Sequence, residues 1–259
     1  VYGALSTNLR SLMNVRIGGT NYWLYNGPTS MYAVQPGPTH TDLSPGGLSS
    51  VTALNRWTVG TFNGLPIANN GVNAPMYWDG NLANNFATLT GWPVGASCVS
   101  LRAFRNFLFA LNLSEAGGTY PDRVRWSSAA AAGSIPATWT AAATNEAGDA
   151  SLSDTAGGLI DAAPLGAGLA IYKARFAYLA EYVRGNQIFA MRRLPIEIGV
   201  LAVNCVADFK GRHFLLTESD MVVTDGVTFE SVANDRVRRL LFNQLDQANY
   251  GACFVAQNR

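Results

Sequence analysis

Residues 120–161, YPDRVRWSSAAAAGSIPATWTAAATNEAGDASLSDTAGGLID, decide how the rest of the chain is read. Pro121-Asp122-Arg123 predicts a turn, because proline fixes φ and aspartate bonds readily to nearby backbone. Val124-Arg125-Trp126-Ser127 alternates side-chain character with the period of a short strand. A small-residue loop and Pro136-Ala137-Thr138-Trp139 follow. Asn145-Glu146-Ala147-Gly148 leads into an acidic, Gly-rich turn, and apolar residues resume at Leu159-Ile160. This order predicts an ornamented loop between two blades of an all-β repeat fold, not an active site.

The flanking sequence has the same texture. Asn21-Tyr22-Trp23-Leu24-Tyr25 and Ser30-Met31-Tyr32-Ala33-Val34 surround Asn26-Gly27-Pro28-Thr29, which predicts a hairpin. Leu12-Met13-Asn14-Val15-Arg16-Ile17 is a strand ending at Gly18-Gly19, and residues 41–47 are a loop. Asn63-Gly64 turns the strand 56–62 into Leu65-Pro66-Ile67-Ala68, and Met76-Tyr77-Trp78 closes at Asp79-Gly80. Residues 100–113 hold two strands with a turn near Arg105-Asn106. Strands at 168–172 and 175–182 turn through Gly185-Asn186 into 187–192. Strands at 204–208 and 213–217 flank Lys210-Gly211, and Asp225-Gly226 separates 221–224 from 227–229. Such pairs recur at a spacing typical of propeller blades, and each blade would cover its neighbour's apolar face. A pair of packed sheets, a β-sandwich, is the competing architecture. One segment differs: Val237, Leu240, Leu241 and Leu245 fall at helical spacing, so 235–247 is predicted to be a helix capped by Asn234 or Asp235.

Composition agrees. The chain has 259 residues, enough for a full core, and only 14% are charged, well under the usual quarter. The net charge of +1 gives no overall pull toward nucleic acid or membrane. Cys98, Cys205 and Cys253 are far apart and form no CxxC pair, which points to buried free thiols in a reducing compartment rather than a disulfide framework or zinc site. The longest apolar stretch, 98–113, is broken by Arg102, Arg105 and Asn106, so no membrane helix is expected.

The chemical inventory is thin. His40 and His213 stand apart without metal-ligand spacing, and the sequence has no GxSxG, P-loop, HExxH or GxGxxG motif. A glycosidase needs two carboxyls facing each other. The candidates are Glu115, Asp122, Glu146, Asp149, Asp154 and Asp161, mostly in Gly- and Ala-rich loops. Asp149, Ser151, Ser153 and Asp154 could offer oxygens to calcium, but without the spacing of a calcium loop. The arginines Arg192, Arg193, Arg236, Arg238 and Arg239 read as solvated or salt-bridging faces. Most aromatics read as blade core, with Trp92 and Trp139, in loops next to prolines, as the exposed exceptions. The expectation is no enzyme activity, no catalytic, cofactor-binding or metal residues, and no cofactor.

The order Trp23-Leu24-Tyr25 with Tyr32, Phe62-Asn63-Gly64 with Asn69-Asn70-Gly71, and Pro75-Met76-Tyr77-Trp78 resembles one family. Val124-Arg125-Trp126-Ser127 with Pro136 and Trp139, Ala170-Ile171-Tyr172-Lys173, Ile188-Phe189 with Gly199, and Asp225-Gly226 ahead of a helix extend the match. Together these blocks, across roughly residues 20–250, resemble the nozzle or tail tubular β-propeller proteins of short-tailed bacteriophages.

That resemblance implies a structural virion protein, assembled in the host cytoplasm. Six copies would form a homo-oligomeric ring under the portal and adaptor and give fibres or spikes a docking surface. Double-stranded DNA would pass through the lumen without specific binding, and no stable membrane insertion is implied. Residues 1–259 are then one β-propeller-like domain with a C-terminal helix, a fragment of a longer chain. The reading from a different class is a carbohydrate-binding or glycan-cleaving tail propeller.

Overall fold

The computed structural model describes residues 3–52, 56–183, 185 and 187–256. Its twenty strands form five four-stranded antiparallel sheets, each with its strands in chain order. Blade 1 holds β1 (Ser11–Ile17), β2 (Thr20–Asn26), β3 (Met31–Val34) and β4 (His40–Asp42). Blade 2 holds β5 (Thr58–Phe62), β6 (Leu65–Asn69), β7 (Met76–Tyr77) and β8 (Ala87–Thr88). Blade 3 holds β9 (Ser97–Phe104), β10 (Phe107–Glu115), β11 (Gly118–Trp126) and β12 (Gly148–Ser151). Blade 4 holds β13 (Asp161–Leu165), β14 (Gly168–Tyr172), β15 (Ala177–Tyr182) and β16 (Phe189–Arg193). Blade 5 holds β17 (Val206–Phe209), β18 (Arg212–Leu216), β19 (Met221–Thr224) and β20 (Phe229–Ser231).

The first strand of each blade touches the first strand of the next, from β1 through β5, β9 and β13 to β17. These strands line a common axis, with later strands stepping outward. Tight hairpins form where the sequence placed them. Asn63-Gly64 and Lys210-Gly211 have positive φ at both residues, the geometry that matches strand twist in a two-residue turn. The turn expected at Gly185-Asn186 includes Asn186, which lies outside the described residues.

Four apolar clusters hold the array, each between consecutive blades. Val15, Leu24, Met31, Trp57 and Trp78 join blades 1 and 2. Phe62, Trp92, Leu101, Leu108 and Trp139 join blades 2 and 3. Phe107, Phe109, Trp126, Ile171 and Phe189 join blades 3 and 4, and Leu165, Tyr172, Ile196, Leu215 and Val222 join blades 4 and 5. Alternation along each strand supplies a side chain to both neighbours in turn, so a blade needs a sheet on each side.

Residues 120–161 are not an inter-blade loop. Residues 118–126 and 148–151 are the two outer strands of blade 3, and only 152–160 cross to blade 4. Pro121-Asp122-Arg123 lies inside β11 rather than in a turn. The register there shifts between Leu111 and Leu113, with Asn112 at φ 56°. This bulge accommodates a proline that has no ladder N–H to give. The expected acidic turn at 148–151 is β12, paired with residues 123–126 of β11. The segment 127–147 folds back on blades 2 and 3. Asn63 Nδ2 donates to the carbonyls of Ala130, Ala131 and Ser134 at 2.9–3.1 Å, and Gly91 packs where a Cβ would lie 2.7 Å from the Ala137 carbonyl.

The helix is shorter than the periodicity implied. α1 spans Asp235–Gln244, capped by the Asn234 side chain accepting from Val237 N–H, and a 3-10 turn covers Gln247–Ala252. Leu245 and Asp246 are extended, and Asp246 caps the next turn instead of continuing the helix. Asn234→Ala is expected to cost about 1 kcal/mol of helix stability. It should show as faster amide exchange across α1 with the blades unaffected. A second local test is Gly199→Ala. The new Cβ would lie 1.9 Å from the Lys173 carbonyl, so the crossing between blades 4 and 5 must shift. The expected loss is about 3 kcal/mol, at the upper end of overpacking costs, read by urea denaturation.

Candidate functional site

The densest polar arrangement lies on the axis. Asp161 opens β13 and is fully buried. Its Oδ1 accepts from Arg102 Nε at 2.7 Å, Ser100 Oγ at 2.7 Å and its neighbour Ala162 N at 2.9 Å. Its Oδ2 accepts from Arg102 Nη2 at 2.7 Å and Asn204 N at 2.8 Å. Asn204, at φ 65°, accepts from Arg102 Nη2 through Oδ1 and donates through Nδ2 to the Trp57 carbonyl at 3.0 Å. The hub thus ties blade 4 to blade 3 and to the segments leading into blades 5 and 2. Burial alone would push the Asp161 carboxyl up. The Arg102 guanidinium and the surrounding donors outweigh it and hold the carboxyl below its ordinary range. Every oxygen is occupied, so this carboxylate stabilises the fold and is not placed to do acid–base chemistry.

Four of the other five candidate carboxylates also bond within the chain. Glu115 pairs with Arg123 and Arg125, and Asp122 with the fully buried Lys173 at 2.7 Å. Lys173 Nζ completes its shell with the Leu152 and Thr155 carbonyls, each at 2.7 Å. Asp149 lies 3.8 Å from Arg123, and Asp154 accepts from the Tyr178 hydroxyl at 2.6 Å. Glu146 receives the Trp126 indole N–H on its backbone carbonyl. Asp149 and Asp154 both border a cleft of about 1020 Å³ where blades 3 and 4 diverge, whose floor includes Trp126, Tyr178 and Phe189. Among the described residues no group of three or more His, Cys, Asp or Glu side chains is arranged to hold a metal ion.

The histidines are structural. His213 is buried, with Nε2 2.7 Å from the Pro164 carbonyl and Nδ1 2.7 Å from the Tyr172 hydroxyl. A carbonyl only accepts, so Nε2 carries the proton and Nδ1 accepts from the tyrosine. Burial pushes this imidazole below 6.5 despite the opposing Pro164 carbonyl and Asp208. The unfolded chain then binds more protons than the native one as pH falls below about 6.5, so this contribution is full above that pH and declines beneath it. In an NMR titration the His213 ring should show a midpoint below 6.5; one above it would contradict the neutral, buried tautomer. His40, on β4, bonds through Nδ1 to Tyr25 Oη at 2.5 Å.

The two tryptophans expected at the surface are inside. Trp92 and Trp139 meet edge to face at 4.7 Å in the blade 2–blade 3 core, although 47 residues separate them. Both terminal arginines of blade 4 have acidic partners within the chain: Arg192 with Glu181 and Arg193 with Glu197.

The exposed large apolar side chains are concentrated at the ends of the array. Leu5, Leu9, Leu12 and Trp23 belong to blade 1 and its lead-in. Phe209, Val227, Phe229, Val232, Val237, Leu240 and Phe254 belong to blade 5 and the tail after it. Among the described residues only Val72, Val94 and Val183 lie elsewhere. On blade 5, the half-buried Ala207 and Phe214 and the buried Val223 form a cross-strand row on the face opposite the one packed on blade 4. On blade 1, the exposed Leu12 and Trp23 stand on the face away from blade 2, beside their buried cross-strand partners Tyr25 and Val34. Residues 3–10 cross part of that face, with Ser6 N donating to Tyr25 Oη. α1 buries none of its side chains.

Blades in sequence order around an axis, inner strand first, are the arrangement of known propeller structures. The fold is a β-propeller. The chain is similar to a streptogramin B lyase structure with a TM-score of 0.53 and 9% identity, covering 90% of this chain and 73% of that one. It is similar to YCF48 from Cyanidioschyzon merolae with a TM-score of 0.52 and 13% identity, covering 87% and 72%. A third likeness is to BBS1N, solved in complex with ARL6DN, with a TM-score of 0.50 and 7% identity, covering 89% and 68%. No protein-family model matches this propeller, and no curated protein sequence does. At these identities the likeness concerns the fold alone.

Proposed function

We propose that this propeller is an assembly module that does mechanical rather than catalytic work, as a subunit of the tail nozzle of a short-tailed bacteriophage. The observation that carries the assembly reading is the exposed apolar surface on blades 1 and 5 and on α1, where the internal blade junctions are closed by apolar cores. Exposed apolar side chains gathered at the two ends of a blade array are where a neighbouring subunit would cover them. The phage assignment rests on the sequence resemblance. In this reading copies form a ring around the genome channel, and the blade array keeps the ring rigid. A net charge of +1 suits a wall past which DNA must slide, since many phosphate contacts would hold it.

Light scattering after size exclusion tests the reading. The chain is expected to self-associate, toward about six copies, and Leu12→Asp with Phe209→Asp should return it to a monomer with its melting temperature nearly unchanged. A wild-type chain that stays monomeric up to high micromolar concentration would sink it. The cleft between blades 3 and 4 favours one second reading, carbohydrate binding, because its rim carries Asp149, Asp154, Asn145 and Gln187 above an aromatic floor. That floor is nearly all covered: Phe189 is 1% exposed and Tyr178 2%. A glycan array probed with the chain, and with Asp154→Asn as control, discriminates the two.

A further inference from the structure

The three cysteines look isolated in the sequence, yet the fold brings two of them to one place. Cys205 leads into β17, the inner strand of blade 5, and Cys253 lies beyond α1 and the 3-10 turn. They are 48 residues apart in the chain, and Cys205 Sγ lies 3.4 Å from the Cys253 carbonyl oxygen. The neighbouring backbone is held as well: Val255 N donates to the Asn204 carbonyl at 2.8 Å. Cys205 is part of the apolar cluster between blades 4 and 5, and Cys253 packs against that same cluster. Cys98 sits elsewhere, buried between blades 2 and 3.

We propose that Cys205 and Cys253 are a site of reversible oxidation, forming a disulfide that latches the tail of the chain onto the hub. A main-chain hydrogen bond one residue from Cys205 and two from Cys253 keeps the two segments at a spacing of the order a disulfide spans. Beyond the Arg238–Asp220 pair at 3.5 Å, the tail has little else to fix it. α1 and the 3-10 turn bury no side chain. Arg56 holds the segment by donating to the Gly251 and Ala252 carbonyls and by lying 5.9 Å over the Phe254 ring. Burial pushes the Cys205 thiol up to about 12, and the nearby Arg56 guanidinium offsets only a small part of that, so Cys205 is the slower of the two to react.

The chemistry is thiol–disulfide exchange with a low-molecular-weight disulfide such as glutathione disulfide. Cys253, half-buried and the more accessible of the pair, loses its proton to solvent and attacks one glutathione sulfur, releasing the first glutathione thiolate. Cys205 then gives up its proton and attacks Cys253 Sγ in the mixed disulfide, releasing the second. Two protein thiols are oxidised by two electrons, one glutathione disulfide is reduced to two thiols, and the two protons end on those products. A reducing thiol reverses both steps.

The test uses the full 259-residue chain, equilibrated with reduced or oxidised glutathione, alkylated and mapped by peptide mass spectrometry. The expected result is a cross-linked peptide pair containing Cys205 and Cys253, with Cys98 alkylated only after unfolding. The oxidised chain should melt about 5–10 °C higher than the reduced one, as closing a loop of this length implies. Cys253→Ser should abolish that rise and Cys98→Ser should keep it. A glutathione adduct persisting at Cys253 without resolution, a cross-link through Cys98, or no cross-link in oxidised glutathione would overturn the proposal.

Discussion

Replacing Asp161 with alanine is expected to destabilise the propeller by about 3–5 kcal/mol, the cost of leaving the largely covered Arg102 charge, the buried Ser100 hydroxyl and the Asn204 N–H without their partner. The chain has few places where one side chain serves so many elements. Asp161 accepts five hydrogen bonds, from Arg102 twice, Ser100, Asn204 and Ala162. Removing it strands the Arg102 guanidinium and frees the Asn204 backbone, whose positive φ is held by these contacts. A typical domain has about 5–15 kcal/mol in total, so a loss of this size takes a large fraction. Urea denaturation of wild type, Asp161→Ala, Arg102→Met and the double variant measures it. The double variant should be less impaired than the sum of the singles, because the penalty in each single variant is the charge left behind. Additive losses would mean that the pair does not act as a unit.

The same carboxylate sets the acid limit. Its folded-state pKa lies below the unfolded value. Between the two, the unfolded chain binds more protons, so stability rises with pH in that window. The contribution is therefore full above about pH 4 and is lost as pH falls through the folded value. Asp161→Asn should flatten the stability profile below pH 4, while wild type declines there.

The sequence carried much of this fold and little of its hub. Hairpins were legible wherever a left-handed turn demanded particular residues, as at Asn63-Gly64 and Lys210-Gly211. The shortest outer strands were not. β4 and β8 have three and two residues, and only the ladder beside them makes them strands. Pro121 misled because the bulge that holds it, residues 121–123 against Asn112, is a property of the β10–β11 pairing and not of the local sequence. Trp92 and Trp139 misled for a related reason: prolines nearby signal a loop, but a loop folded onto a blade buries its rings. Asp161, Arg102 and Asn204 share no spacing that a motif could capture, since each comes from a different blade or the segment before it. The cysteine pair was hidden in the same way, by contacts across 48 residues.

Phe189→Ala is the second substitution expected to cost about 3–5 kcal/mol, here by leaving a cavity. Phe189 opens β16 and is 1% exposed at the junction of blades 3 and 4. Its ring meets Phe109 at 4.9 Å, Phe107 at 5.1 Å, and Trp126 and Tyr182 at 5.5 Å, mostly edge to face. Each such pair adds to the burial of the ring itself. The surroundings are poorly able to close the hole. Trp126 is pinned by its indole bond to the Glu146 carbonyl and by Gly148, whose added Cβ would lie 2.5 Å from the ring. Phe107 and Phe109 belong to a nine-residue strand paired on both sides. Phe189→Leu, which keeps most of the volume, should lose roughly 1–1.5 kcal/mol. If alanine cost no more than leucine, the two blades would have to slide together over the gap, and the rigidity ascribed to the array would be wrong. A large difference between the two, with the cleft above Phe189 deepened in the alanine variant, is what a stiff blade junction requires.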